Sequence, residues 1–315
     1  MTLLLILGIV AGLVLLTVAA DQFVLGAARV AVVLRLSTVV IGAVVIGFGT
    51  SAPEMVVSGL AAASGSLDIA VGNIIGSNIA NLSLVLGTAS MTAPIVVGSS
   101  TIRREAPLSL GAVLVFAGLV QGGLTRVEGG VLFVLLVGAL GYILLASRDE
   151  ADDELTGEVD EYLDDDGLHP GREWLRTGLG LLGTLIAAQL LVYCASTLAR
   201  QVGLKEGFVG LTIVAIGTSL PELATSLQAV RKGETDLILG NLLGSNLFNS
   251  LAVGGVAAFA GPGPVLDTAL TSTGVLLMIA VAVAVTVAMA TSRRIVRWEG
   301  AVLLAVYITV LPLLA

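Results

Sequence analysis

"IGFGTSAPEM", residues 46–55, sets the carboxylate Glu54 directly behind a proline in one of the most apolar regions of the chain. Nearly the same phrase returns as "VAIGTSLPEL", residues 214–223, where Glu222 follows Pro221. A carboxylate at membrane depth is costly unless it faces a partner or a wet cavity. A proline there withholds an N–H and kinks its helix. A lipid-facing helix needs neither, so the recurrence decides the fold.

Residues 38–87 align with 206–255 at a constant offset of 168, without a gap. Eighteen positions match, from Gly42/Gly210 to Gly87/Gly255. Chance matches between apolar segments would fall on Leu, Val and Ala. Here Gly, Pro, Ser, Thr, Asn and Glu match, which marks an internal repeat.

The surrounding chain is built for lipid. Of its 315 residues 56% are hydrophobic and 12% charged, with mean hydropathy +1.03. A soluble domain carries about twice that charge fraction. Apolar runs of about 20 residues recur, each long enough to cross a bilayer. The pattern predicts an all-α polytopic membrane protein with ten helices, at about 2–33, 39–64, 68–92, 104–121, 126–147, 173–200, 207–231, 236–260, 268–291 and 297–314. No basic residue precedes the first run, so it reads as a retained helix rather than a signal peptide.

Five helices per copy is an odd number, so the second copy enters the membrane from the opposite side. Residues 1–147 and 173–315 then form two inverted five-helix repeats, with the first motif at 38–87 and the second at 206–255. Such repeats build secondary transporters, with the substrate site near the midplane at the repeat interface. Loops after odd-numbered helices carry Arg35, Arg103, Arg104, Arg148, Arg172, Arg176, Arg231, Lys232, Arg293, Arg294 and Arg297. The even loops carry only Arg126, Arg200 and Lys205. The positive-inside rule places both termini outside the cell membrane and loop 148–172 in the cytoplasm. That loop, "RDEADDELTGEVDEYLDDDGLHPGR", reads as a solvated acidic linker. A calcium loop starting at Asp152 would need Glu at its twelfth position, where Leu163 stands.

The repeated polar residues suit a hard cation. Thr50, Ser51 and Glu54 fall on one side of a helix. Pro53 and Pro221 leave the carbonyls of Gly49 and Gly217 without their usual donor. Helices three and eight add Ser77 with Asn81, and Ser245 with Asn249. These are oxygen ligands throughout, the set that Ca²⁺ and Na⁺ prefer. A single Cys194 and a single His169 leave no soft-metal cluster or histidine triad. Gly72, Gly76, Gly240 and Gly244 read as faces for close helix packing. Asp68 and Asp236 read as caps of helices three and eight, and Asp21 as a bundle-facing structural residue.

On "GTSAPE" with "GNIIGSNIAN", and "GTSLPE" with "GNLLGSNLFN", the chain resembles the sodium/calcium exchanger family of the cation/calcium antiporter superfamily, prokaryotic type. The resemblance covers the full chain. It implies a central Ca²⁺ site made by Glu54, Glu222 and the backbone of Thr50 and Thr218. It implies flanking Na⁺ sites, one from Ser51, Ser77 and the Gly47 carbonyl, the other from Ser219, Ser245 and the Ala215 carbonyl. Asn81 and Asn249 would border the middle. Asn249 stands where some members carry Asp, which argues against K⁺ co-transport.

The expected activity is therefore Na⁺/Ca²⁺ antiport by alternating access, with helices one and six moving against the ligand-bearing bundle. Ca²⁺ and Na⁺ are substrates, and the chain is expected to be no enzyme, to need no cofactor, to bind no nucleic acid and to have no obligate protein partner. Two ionised Glu balance one Ca²⁺, whereas the family's usual three Na⁺ leave a surplus charge, making exchange electrogenic. Ca²⁺/H⁺ exchange on the same paired Glu is the alternative. An intramembrane hydrolase and a passive cation channel fit the duplicated motif less well.

Overall fold

The structure, a computed structural model, describes residues 2–33, 51–98, 101–146, 169–232 and 235–310. Residues 39–50 of the expected second helix, 311–314 of the tenth and most of the acidic loop lie outside the described residues. What is described is nearly all helix. Eight stretches are long and apolar enough to cross a membrane; Ala52–Ala63 and Arg297–Val310 are shorter.

In chain order the helices are α1 (Thr2–Val33), α2 (Ala52–Ala63), α3 (Leu67–Thr92), α4 (Thr101–Gly122) and α5 (Arg126–Ala146). Then come α6 (Pro170–Val202), α7 (206–232), α8 (235–260), α9 (Leu270–Ser292) and α10 (Arg297–Val310). α6 begins three residues before the expected start. His169 is extended at its cap, Pro170 opens the first turn where no N–H is needed, and Glu173 sits in that turn.

The sequence repeat is also a repeat of backbone irregularities. α3 is α-helical over Leu67–Ala80, opens into a π turn at Asn81–Val85, and resumes over Leu86–Thr92. α8 follows the same course over Thr235–Phe248, Asn249–Val253 and Gly254–Ala260. Each boundary lies 168 residues from its counterpart. A π turn inserts one residue into the helix and re-aims the side chains after it, a feature frequent at functional sites.

α3 and α8 lie at the centre, buried almost throughout. Small residues let other backbones reach α3. A Cβ at Gly72 would come within 2.8 Å of the Leu211 amide nitrogen, and one at Gly76 within 2.6 Å of Ala215 Cβ. The expected close packing therefore holds for this pair. Gly240 and Gly244 show no such approach among the described residues.

α1 and α6 pack on each other along their lengths. Gly12 and Gly180, counterparts in the repeat, each lie against the other helix, at Leu191 and Phe23. At one end Arg29 of α1 pairs with Glu173 of α6 at 3.5 Å, and Arg176 reaches the same carboxylate at 3.2 Å. Asp21 is exposed on α1 rather than turned into the bundle.

Two short braces tie the remaining helices together. Strand β1 (Ile95–Val96), after α3, pairs antiparallel with β2 (Arg294–Ile295), before α10. Gly263, after α8, bridges Leu124, before α5. Each brace thus joins a linker of one half to a linker of the other. Asp68 caps across halves rather than its own helix: its carboxylate accepts the N–H groups of Leu266 and Asp267 at 2.8 and 3.0 Å.

Candidate functional site

The serine of each motif takes the same backbone turn. α7 is helical to Thr218, yields at Ser219 with φ −88° and ψ 6°, and resumes as Leu220–Lys232. Ser51, immediately before α2, has φ −90° and ψ 7°. The carbonyls of Ser51 and Ser219 then accept the N–H groups of Met55 and Leu223 at 3.0 and 3.1 Å. The break in α7 cannot be spanned normally, because Pro221 has no N–H to return to the preceding turn. A Cβ at Gly217 would strike the Leu13 side chain, so the break in α7 also seats α1.

Glu54 and Glu222 lie in the first turns of the helices that follow these serines, and both are 0% exposed. They stand close enough for the charge of Glu222 to act on Glu54. Thr218 lies beside Glu54, and Ser245 beside Glu222. None of the four carboxylate oxygens completes a hydrogen bond. Buried carboxylates normally find donors, because each unpartnered oxygen forfeits its hydration. The packing crosses the halves: α2 lies on the π turn Asn249–Val253, and the second piece of α7 on the π turn Asn81–Val85.

The other expected ligands among the described residues group around this pair. The Ser51 and Ser219 hydroxyls are buried without partners. Ser77 Oγ lies 3.4 Å from Thr218 Oγ1, joining α3 to the end of the first piece of α7. The Thr218 hydroxyl has one proton to share between Asn73 Oδ1, at 3.2 Å, and the Ala215 carbonyl, at 3.3 Å. That carbonyl also accepts the Ser219 N–H at 3.0 Å. Asn81 donates to Asn246 Oδ1 at 3.0 Å and keeps its own Oδ1 free. Both amide atoms of Asn249 are buried without partners. Thr50 and Gly47 lie outside the described residues.

Three asparagines hold this arrangement that motif reading assigned no role. Asn73 links Ser58 of α2 to Thr218 of α7. Asn78 donates to Ser250 at 3.1 Å, and Asn246 donates to the Asn78 carbonyl at 3.2 Å, so α3 and α8 clasp each other. Their recurrence as Asn73/Asn241 and Asn78/Asn246 was the available signal. Chemically, the site presents buried carboxylate, hydroxyl and amide oxygens, several unsatisfied. A desolvated hard cation would satisfy them.

Comparison with known proteins agrees with this chemistry. The sequence model of the family "Sodium/calcium exchanger protein" matches residues 4–145 and 173–314. The chain is 42% identical to CaxA of Alkalimonas amylolytica, over 95% of each chain. It is 31% identical to the sodium/calcium exchanger MaX1 of Methanosarcina acetivorans, over 96% of each. A solved structure of the sodium-calcium exchanger NCX_Mj, soaked with Na⁺ and Sr²⁺, superposes with TM-score 0.67 at 29% identity, covering 99% of both chains. This protein, an integral membrane protein of many apolar helices, belongs to the sodium/calcium exchanger family, a family of transporters rather than enzymes.

Proposed function

We propose that the chain is a secondary antiporter exchanging Na⁺ for Ca²⁺ across the cell membrane by alternating access. The observation that carries this reading is the pair Glu54 and Glu222, fully buried, mutually close and without hydrogen-bond partners. Divalent charge fits two carboxylates, and the names of MaX1 and NCX_Mj supply the precedent for Na⁺. Glu54 and Glu222, with the backbone of Thr50 and Thr218, hold Ca²⁺. Ser51, Ser77 and the Gly47 carbonyl hold Na⁺ on one side; Ser219, Ser245 and the Ala215 carbonyl hold it on the other. Asn81 and Asn249 border the centre. No further cofactor is required.

The proposed architecture is ten spans in two inverted repeats, 1–147 and 173–315, with both termini outside and the acidic loop in the cytoplasm. The cross-braced helices α2–α5 and α7–α10 form the frame. The α1–α6 pair, held to itself by glycine contacts and the Arg29–Glu173 bridge, is the element that slides. Three Na⁺ against one Ca²⁺ on two carboxylates carries one net charge, driven by about 2.3 kcal/mol per 100 mV. The test is radioactive Ca²⁺ uptake into proteoliposomes with a Na⁺ gradient and clamped voltage. Uptake driven by Na⁺ and altered by voltage is expected; uptake driven by a pH gradient alone would assign H⁺ as the counter-ion instead.

A further inference from the structure

The two halves treat one matched pair of serines differently. Ser58 and Ser226 follow Glu54 and Glu222 by four residues, on the same helix face and one turn further along. Both are buried, with 0% and 1% exposure. In the first half Asn73 donates to Ser58 Oγ at 3.0 Å, and that hydroxyl lies 3.5 Å from the Ala70 carbonyl it donates to. Ser58 is therefore fully engaged.

In the second half Asn241 occupies the place of Asn73, but its amide donates to Thr225 Oγ1 at 3.3 Å. The first half has Val57 at that position, with no hydroxyl to compete. The Thr225 hydroxyl proton is itself held, lying 3.1 Å from both the Pro221 and Glu222 carbonyls. With Asn241 drawn aside, Ser226 Oγ has no partner at all. Buried helical serines ordinarily turn back to a carbonyl one turn earlier; Ser226 does not.

A free hydroxyl one turn from an unpartnered carboxylate offers two oxygens that one cation can bridge. Ca²⁺ binds oxygens at about 2.3–2.6 Å, so one ion spans two ligands roughly 5 Å apart, the separation of side chains one helical turn apart. We infer that Ser226, with Glu222, is a transit site for Na⁺ or Ca²⁺ passing between the central site and the membrane face where α7 ends at Lys232. The first half has no equivalent, because Asn73 occupies Ser58. Ion entry is thus asymmetric despite the repeat. This inference rests on the exchanger reading and adds a ligand to it.

The test uses the full chain in proteoliposomes of known orientation, with half-saturating Ca²⁺ measured at each face in turn. Ser226→Ala is expected to raise that value roughly three- to tenfold at the Lys232 face, the loss of one hydroxyl ligand to an ion, and to leave the other face within about twofold. Thr225→Val keeps Ser226 but lets Asn241 capture it, and is expected to shift the same face in the same direction. A shift at both faces alike, no shift with Ser226→Ala, or no effect of Thr225→Val would overturn the transit site while wild-type exchange persists. Absence of Na⁺-driven Ca²⁺ flux in the wild type would instead defeat the exchanger reading beneath it.

Discussion

Asn81 and Asn249 hold the same place at the start of matching π turns, yet only Asn81 is bonded: it donates to Asn246 at 3.0 Å, while both ends of the Asn249 amide are buried and unpartnered. The two residues should therefore separate stability from transport. Asn81→Ala leaves Asn246 Oδ1 unsatisfied and should lower stability by about 1–3 kcal/mol. Asn249→Ala removes an unsatisfied buried group, and should leave thermal unfolding in detergent unchanged or raise it while reducing Ca²⁺ flux. Equal losses of stability in both variants would show that the Asn249 amide is bonded after all.

Glu54→Gln and Glu222→Gln should each cut Ca²⁺ transport by at least roughly a hundredfold, because a charged ligand to a desolvated cation contributes several kcal/mol. Without Ca²⁺ or Na⁺ the variants should unfold no earlier than wild type, since each replaces a buried carboxyl whose oxygens have no hydrogen-bond partner. Added Ca²⁺ should stabilise wild type and neither variant. Full transport in either variant would show that its carboxylate is not a ligand.

Cys194 offers a direct check on how the α1–α6 pair moves. A Cβ at Gly8 would lie 3.5 Å from Cys194 Cβ, at the short end of the range of about 3.5–4.5 Å found in disulfides. Gly8→Cys should cross-link to Cys194 on oxidation, visible as a changed peptide map, with exchange retained if the pair slides as one body, as proposed. Efficient cross-linking that stops exchange would mean that the two helices move past each other.

Much of this organisation was legible in the chain. The paired "GTSAPE" and "GTSLPE" located the turns at Ser51 and Ser219 because proline leaves few backbone options, and Gly, Ser and Asn matches exposed the repeat through the apolar background. The π turns at Asn81 and Asn249 were not legible, since inserting one residue into a helix leaves the apolar pattern of its neighbours intact. Nor were the different fates of Ser58 and Ser226, which depend on whether residue 57 or 225 offers a hydroxyl. A cap is local in sequence, so the chain alone places Asp68 on its own helix; its partners, Leu266 and Asp267, are 198 and 199 residues away.

Close packing at Gly76 sets the seat of Ser77 beside Thr218. A Cβ there would press on the Leu211 carbonyl and on Ala215. Backbone cannot rotate away as a side chain can, so Gly76→Ala should destabilise the protein by about 1–3 kcal/mol and reduce transport. Unchanged melting in detergent and unchanged flux would show that α3 and α7 are not in close contact.

If Glu54 and Glu222 hold Ca²⁺ in exchange for Na⁺, the counter-ion alone should set the flux. Radioactive Ca²⁺ flux in proteoliposomes, with Na⁺, K⁺ and H⁺ gradients imposed one at a time, is the decisive measurement. An outward Na⁺ gradient alone should drive Ca²⁺ uptake, K⁺ should add nothing, and Glu222→Gln should abolish the flux. Uptake that follows the pH gradient and ignores Na⁺ would rule out Na⁺/Ca²⁺ exchange.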